Sequence, residues 1–237
     1  MLILGHRGAS ADFPENTLEA FAGAVAQGAD GVELDVMRCS SGELVVCHDE
    51  KLDRLAGRQW EVDSTPWWKL QTADVGSSLG FKPARIPLLK DVFEMLPSEM
   101  LVNVELKCIT LDDRGLTEAV GHFIIENDLI ERTLVSSFNA ACLFRLAAQF
   151  PSIRRGQLID PDKSFFAQRI LTPSLARESI NVHHSQITQE RVGDWHANGL
   201  KVVVWTVDDP TMAADLRNFG VDMLITNRPK FIRQSLA

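Results

Sequence analysis

Short apolar runs alternate along the chain with longer segments in which apolar residues recur every three or four positions. A parallel strand buried on both faces is a continuous run of Val, Ile and Leu, whereas an amphipathic helix shows the longer period. The predicted strands are Leu2–Leu4, Gly31–Val36, Leu101–Leu106, Thr133–Ser136, Arg155–Ile159, Ile180–His183, Lys201–Val207 and Met223–Thr226. The predicted helices are Thr17–Gln27, Leu116–Asn127, Ala140–Gln149, Gln189–Ala197 and Pro210–Phe219.

Strands that alternate with helices predict parallel βαβ units. About eight such units in 237 residues match the length of a (β/α)₈ barrel, which takes about 250 residues. We therefore predict the α/β class and one TIM-barrel domain over residues 1–237. A doubly wound open sheet is the alternative, but it usually has a Gly-rich phosphate-binding turn after its first strand. Here the first strand runs into Gly5-His6-Arg7-Gly8. We expect Asn16 to cap the first helix, with Glu19 as its capping-box partner.

Residues 49–88 interrupt the alternation of strands and helices. This segment contains Trp60, Trp67 and Trp68 together with several Gly and Pro residues, and it shows no clear period. We predict that it is a lobe inserted after the second strand, on the face of the barrel where active sites form. A long connection without a part in catalysis is equally compatible with this pattern.

The composition narrows the range of partners and locations. The formal net charge of -8 argues against binding to nucleic acid or to an anionic membrane surface, because such surfaces attract positive charge. No apolar run approaches the roughly 18 residues of a membrane span. The four cysteines form no CxxC pair and no secretion signal is recognisable, so we expect reduced thiols and a cytoplasmic location. The oligomeric state stays open.

Three acidic residues lie in two predicted strands. Because side chains alternate along a strand, Glu33 and Asp35 point to one side, and we expect that side to be the barrel interior. Glu105 occupies a similar place in Leu101–Leu106. Carboxylates that lie close together need a neutralising cation, and their oxygens suit one Mg²⁺ or Ca²⁺ ion. Pairing of each carboxylate with a Lys or Arg is the alternative, which we favour for one acidic residue but not for three.

Two histidines and two cations lie next to these carboxylates in the predicted fold. His6 ends the first strand and His48 follows the apolar run that ends at Cys47, so both are expected at the catalytic face. A pair of histidines beside a carboxylate cluster suits general acid–base catalysis. Arg7 and Lys107 add positive charge that suits an anionic group, most simply a phosphate.

Two aromatic residues follow later strands. Phe138 comes after Val135-Ser-Ser, and Trp205 ends the run Val202-Val-Val-Trp. At corresponding strand ends they could form an apolar wall of a substrate pocket. Packing in the core or at the rim is an equally good interpretation.

Several of these motifs, taken in order, resemble the glycerophosphodiester phosphodiesterase family. They are His6-Arg-Gly-Ala-Ser, Pro14-Glu-Asn-Thr17, Gly28-Ala-Asp-Gly-Val-Glu-Leu-Asp-Val36, His48-Asp49, Glu105-Leu-Lys107, Trp205-Thr-Val and Ile225-Thr-Asn. The resemblance covers essentially the whole chain. It implies a TIM barrel with a small insertion after the second strand, and hydrolysis of a small-molecule glycerophosphodiester to sn-glycerol 3-phosphate and an alcohol. Our hypothesis for this reaction is a two-step cleavage through a cyclic phosphate.

The resemblance also implies roles for individual residues. The positions of Glu33, Asp35 and Glu105 bind the divalent metal ion in that family. Those of His6 and His48 are the acid–base pair, and those of Arg7 and Lys107 contact the phosphate. The family pattern assigns His6 as the base, whereas the sequence by itself leaves the order of the two histidines open. Departures such as Cys39-Ser-Ser-Gly42 and Leu55-Ala-Gly-Arg58 concern the alcohol pocket. Two other functions stay open: a lysophospholipase D-type enzyme that acts on a lipid, and a barrel that only binds a glycerophosphodiester.

Overall fold

Eight parallel strands form a closed barrel in the computed structural model, which describes residues 1–108, 110–161 and 176–237. The barrel strands are β1 (Leu2–His6), β2 (Gly31–Arg38), β4 (Leu101–Leu106), β5 (Thr133–Ser137), β6 (Arg154–Ile159), β7 (Ser179–His183), β8 (Lys201–Trp205) and β9 (Met223–Thr226). The sheet closes because β1 pairs with both β2 and β9. The short strand β3 (Leu44–Val46) pairs antiparallel with the end of β2. The predicted (β/α)₈ barrel is confirmed, and β8 ends at Trp205 instead of Val207.

Helices connect the strands on the outside of the barrel. In the described residues they are α1 (Leu18–Ala26), α2 (Asp53–Ala56), α3 (Trp67–Leu70), α4 (Leu89–Met95), α5 (Leu116–Glu126), α6 (Ala140–Gln149), α7 (Gln189–Ala197), α8 (Pro210–Phe219) and α9 (Pro229–Ser235). The five predicted helices are all present with small changes at their ends. The four helices that were not predicted have at most seven residues, too few to repeat the helical period clearly. Within the described ranges, no helix is both long and apolar enough to cross a membrane.

The start of α1 differs from the prediction. The N-cap is Thr17, whose hydroxyl accepts a hydrogen bond from the Ala20 amide at 3.2 Å. Asn16 has a φ of 57° and its side chain donates instead to Asp35 Oδ2 at 2.8 Å. The capping box with Glu19 was therefore wrong, because the Asn16 side chain is engaged by a buried carboxylate of β2.

Alternation along the strands separates the two sides of the barrel wall. Val32, Leu34 and Val36 of β2 pack in the apolar cluster beneath the helices. The inward residues follow from the parallel register, which pairs Glu33 with His6 on one side and with Asn103 on the other. Leu4, Leu134, Val203, Met223 and Ile225 form a small apolar cluster of their own. The barrel interior is thus apolar in one layer and acidic where β1, β2 and β4 meet.

Residues 49–88, the segment predicted as an inserted lobe, contain α2, α3 and two short 3₁₀ turns, Val62–Ser64 and Ser77–Leu79. Leu52, Val62 and Leu70 are buried in an apolar cluster that also includes residues of β2 and β3. Trp60 and Trp67 pack against this cluster, while Trp68 is 68% exposed. This packing accounts for the apolar residues of the segment without any ligand.

Candidate active site

A tight turn after β1 places Arg7 over the carboxylates of β2. Arg7 has a φ of 54°, and its amide donates to the Glu33 carbonyl at 2.9 Å and to Glu33 Oε2 at 3.1 Å. Gly8 follows with a φ of 87°, and a Cβ there would lie 2.5 Å from the Ala20 carbonyl carbon. Only glycine tolerates both this conformation and this approach. The turn formed by His6-Arg7-Gly8 therefore directs the Arg7 side chain into the site.

His6 is held by a neutral amide. Its Nδ1 lies 2.7 Å from Asn227 Oδ1. The Asn227 amide nitrogen donates to Asp208 Oδ2 at 2.6 Å, so Oδ1 is the acceptor and His6 carries its proton on Nδ1. Burial and then the charge of Arg7 lower the pKa of His6 to about 4. At neutral pH the imidazole is uncharged, and its Nε2, 3.9 Å from Glu33 Oε2, has a free lone pair.

Glu33, Asp35 and Glu105 form the acidic cluster. Each offers a carboxylate oxygen, and these oxygens lie within 4.8 Å of one another. Burial, then the charges of Asp35 and Glu105, raise the pKa of Glu33 well above its ordinary value. Burial and the charge of Asp35 raise the pKa of Glu105 to about 7. Burial also acts to raise the pKa of Asp35, but the charges of Arg7 and Lys107 outweigh it and the pKa falls.

The neighbouring cations neutralise only part of this cluster. Lys107 Nζ lies 2.9 Å from Glu105 Oε1 and 3.6 Å from Asp35 Oδ1, and Arg7 Nε lies 3.1 Å from Asp35 Oδ2. Two cations face three buried carboxylates, so the ionised cluster would carry an uncompensated negative charge, in line with the raised pKa of Glu33. An all-oxygen set with this charge fits a hard dication such as Mg²⁺ or Ca²⁺. The alternative of simple Lys and Arg pairing holds for Asp35 and Glu105 but not for Glu33.

His48 is held by a carboxylate. It follows β3, and its Nδ1 lies 2.7 Å from Asp49 Oδ1. A carboxylate accepts a hydrogen bond but cannot donate one when ionised, so His48 also carries a proton on Nδ1 and directs Nε2 away from Asp49. Such a partner fixes the orientation of the imidazole ring.

Eight of the nine residues predicted for the site line one cavity of about 220 Å³. They are His6, Arg7, Glu33, His48, Glu105, Lys107, Phe138 and Trp205. The ninth, Asp35, contacts the site through its ion pairs with Arg7 and Lys107. The rings of Phe138 and Trp205 meet edge to face at a centroid distance of 5.6 Å, and the ring of His183 meets Trp205 edge to face at 5.0 Å. The three tryptophans of residues 49–88 are not among the lining residues.

Sequence reasoning missed the residues that orient the site. Asn227, Asn16 and Asp49 stood inside the quoted motifs, but nothing in their spacing showed which side chain they would bind. Glu15, which is also part of a quoted motif, and Arg54 were missed as well. The position of Asp49 directly after His48 was the one available hint that it binds this histidine. No feature of residues 49–88 indicated that Arg54 would contact the site.

Comparisons with known proteins show the family of this chain. The family model described as "Glycerophosphoryl diester phosphodiesterase family" matches residues 6–231. A glycerophosphodiester phosphodiesterase of Caldanaerobacter subterraneus is 34% identical over 97% of this chain and 95% of its own. The solved structures similar to this chain include a phosphodiesterase of Oleispira antarctica in complex with the product sn-glycerol 3-phosphate. It is 30% identical, with a TM-score of 0.85, and the match covers 100% of this chain and 96% of that one.

A second solved relative is the glycerophosphodiester phosphodiesterase of Thermotoga maritima. It is 28% identical, with a TM-score of 0.80 over 99% of this chain and 97% of that one. The family match covers nearly the whole chain and includes every residue of the candidate site. The chain therefore belongs to the glycerophosphoryl diester phosphodiesterase family and is a phosphoric diester hydrolase.

Proposed function

We propose that this enzyme hydrolyses glycerophosphodiesters to sn-glycerol 3-phosphate and an alcohol, with His6 as general base and His48 as general acid. The observation that carries the proposal is the pair of histidines in one cavity, held by different partners. His6 donates to a neutral amide and is uncharged at neutral pH. His48 donates to the Asp49 carboxylate, which fixes the tautomer and the orientation of its ring.

The chemistry begins with the glycerol hydroxyl next to the phosphate. His6 Nε2 accepts the proton of this hydroxyl, and its oxygen attacks phosphorus. His48 gives its Nε2 proton to the departing alcohol oxygen, which leaves a cyclic glycerophosphate. Water then opens the ring while the two histidines exchange roles, so His48 accepts a proton from water and His6 returns one to the glycerol oxygen.

Arg7 and Lys107 supply the fixed positive charge for the phosphoryl oxygens. Both line the cavity, and both are already held in place by Asp35. Charge that builds on phosphorus-bound oxygens in the transition state is stabilised by such oriented donors. Glu33, Asp35 and Glu105 would hold one divalent cation, and this ion, when bound, polarises a phosphoryl oxygen and promotes ionisation of the attacking hydroxyl. The charge excess of the three carboxylates supports this assignment.

Phe138 and Trp205 form the apolar wall of the same cavity, which supports a role for them in substrate binding. An acyl chain would need a longer apolar surface. The tryptophans of residues 49–88 pack elsewhere or face solvent, so no observation favours a lysophospholipid substrate.

The test is turnover of glycerophosphocholine by protein stripped of metal with a chelator and reloaded with one divalent ion at a time. We expect activity only in the reloaded protein, and a loss on the order of 10² to 10⁴ for His6→Ala and for His48→Ala. Lys51→Gln is the matched control, because Lys51 forms an exposed pair with Glu61 in residues 49–88. Near-wild-type turnover of His48→Ala, metal-independent turnover, or a strong preference for lysophosphatidylcholine would contradict the proposal. A complete lack of turnover would favour a binding barrel.

A further inference from the structure

A chain of alternating charges connects His48 to the barrel through a residue outside the family-like motifs. Asp49, which accepts from His48, is itself bound by Arg54: Nε lies 2.7 Å from Asp49 Oδ2 and Nη2 lies 3.0 Å from Oδ1. The same guanidinium binds Glu15, with Nη1 at 3.0 Å from Oε2 and Nη2 at 2.8 Å from Oε1. Arg54 thus forms four charge-assisted hydrogen bonds to two carboxylates. A planar, forked donor is the side chain that can do this.

Arg54 is the cation that joins the two carboxylates. Oxygens of Glu15 and Asp49 and a ring nitrogen of His48 lie within 4.8 Å of one another. Like charges at this distance repel, and the shared guanidinium of Arg54 offsets this repulsion, while Arg7 also binds Glu15. Every oxygen of both carboxylates already has a partner among Arg7, Arg54 and His48. This saturation argues against a second metal site and assigns the cluster to orientation.

Arg54 connects residues 49–88 to the loop that follows β1. Arg54 lies in α2 of residues 49–88, and its side chain is 44% exposed. Glu15 belongs to the loop after β1 and is only 15% exposed. An exposed ion pair contributes little to stability, typically about 0 to 1 kcal/mol. Four hydrogen bonds to one guanidinium do, however, restrict the geometry of both carboxylates.

We propose that Arg54 is a positioning residue: by holding Asp49 against Glu15, it fixes the ring of His48 so that Nε2 faces the departing alcohol. This inference rests on the proposed function of His48 as general acid. It predicts that loss of Arg54 weakens the proton delivery specifically. The attack on phosphorus, which depends on His6 and the phosphate contacts, is affected much less.

Two substrates with different leaving groups separate these effects. Choline is a poor leaving group and needs a proton, whereas p-nitrophenolate leaves without one. Release of choline from glycerophosphocholine and of nitrophenolate from glycerol 3-phosphate p-nitrophenyl ester is measured in single turnovers with the metal-loaded enzyme. The variants are Arg54→Gln, Arg54→Lys, His48→Ala as the reference, and Lys51→Gln as the control. Thermal unfolding of each variant reports whether it is folded.

We expect Arg54→Gln to slow choline release about 10- to 100-fold, the range typical of groups that orient a catalytic histidine or metal ligand. Nitrophenolate release should fall much less. Arg54→Lys should lie between wild type and Arg54→Gln, because an ammonium keeps the charge but cannot bind both carboxylates in a fork. Lys51→Gln should match wild type on both substrates.

Two results would overturn the account at different levels. Equal losses on both substrates for Arg54→Gln, or no loss on either, would refute the positioning role if His48→Ala still shows the leaving-group dependence. A loss for His48→Ala that is the same on both substrates would refute the acid role of His48 and the proposed function with it.

Discussion

The surroundings of His6 and of His48 differ in almost every respect, although both residues line the same cavity. His6 ends a strand of the barrel, is held by a neutral amide and lies beside Arg7. His48 follows the short strand β3, is held by a carboxylate and depends on a helix of residues 49–88. Burial and the charge of Arg7 favour the uncharged ring of His6, whereas the Asp49 carboxylate fixes the orientation of the His48 ring. The difference shows how the fold gives two identical side chains distinct surroundings, to which we assign opposite proton-transfer roles in the proposed mechanism.

The largest effect is expected for His48→Ala, which should separate formation of the cyclic phosphate from its hydrolysis. His48→Ala acting on the p-nitrophenyl ester should complete the first step, because that leaving group needs no acid. It should then fail to open the ring, since the base for water is missing, with a loss on the order of 10² to 10⁴ in this step. Cyclic glycerophosphate should accumulate and be visible by ³¹P NMR.

The wild-type enzyme is the control, and it should show no accumulation. His6→Ala should show slow nitrophenolate release and no cyclic product. Direct formation of glycerol 3-phosphate by His48→Ala, without a cyclic species, would contradict the proposed intermediate.

The acidic cluster between the two histidines predicts pH-dependent stabilisation by metal ions. In the metal-free protein the pKa values of Glu33 and Glu105 are raised, the latter to about 7. The folded state therefore holds protons at pH values at which the unfolded chain has released them. As the pH rises from the ordinary pKa of a glutamate to about 7, the contribution of Glu105 to the free energy of unfolding falls. A dication must displace these protons, so its affinity should rise over the same range.

Thermal unfolding with and without Mg²⁺ or Ca²⁺, from about pH 5 to about pH 8, checks this sign. At a hundred times the dissociation constant, an ion that binds only the folded state adds about 2.7 kcal/mol. The shift in Tm should grow with pH and level off above neutrality. Glu105→Gln should abolish most of it, and a shift that is independent of pH would contradict the assignment of the cluster.

Exchanging the partner of His6 should make its surroundings similar to those of His48. In the double variant Asp208→Asn, Asn227→Asp, the carboxylate introduced at position 227 accepts the hydrogen bond from His6. The amide introduced at position 208 takes the place of the carboxylate that binds residue 227. The carboxylate should raise the pKa of His6 from about 4 towards its ordinary value or above. Below about pH 7 we expect kcat/KM to fall about tenfold for each unit by which the pKa exceeds the pH, because the base is then protonated.

The loss should disappear as the pH rises, and a pH profile of kcat/KM measures it. Asp208→Asn alone is the control, because it leaves the amide on His6. An unchanged profile for the double variant would mean that the partner does not set the state of His6.

The smallest effect is expected at Trp68. Its side chain is 68% exposed in α3 and does not line the cavity. Surface substitutions of this kind usually change energies by less than about 0.5 kcal/mol. Trp68→Ser should therefore keep kcat/KM on glycerophosphocholine within about twofold of wild type. A large loss, above all on a lysophospholipid, would instead favour a lid function for residues 49–88.

The sequence allowed the barrel to be predicted because each buried strand is a continuous apolar run and each long helix repeats its period. It did not reveal α2, α3 or β3, which are too short to show any period. The expected cap at Asn16 was wrong for a tertiary reason, since its amide binds Asp35 in the next strand. Local propensity cannot anticipate such a contact.

The candidate site shows the same division. Glu33 and Asp35 could be placed on one side of a strand by alternation alone, and the motifs identified both histidines. The groups behind the histidines could not be found in this way. Asn227 is 221 positions from His6, and Arg54 is 39 positions from Glu15, so only the closed barrel brings them together.

The protonation states of the two histidines test the central claim most directly. With ¹⁵N-labelled histidine and His6→Gln and His48→Gln used for assignment, NMR reports the charge and tautomer of each ring across a pH titration. We predict that His6 is uncharged at neutral pH with its proton on Nδ1, and that it titrates near pH 4. A charged His6 at neutral pH, or a proton on Nε2 in place of Nδ1, would contradict its assignment as the base.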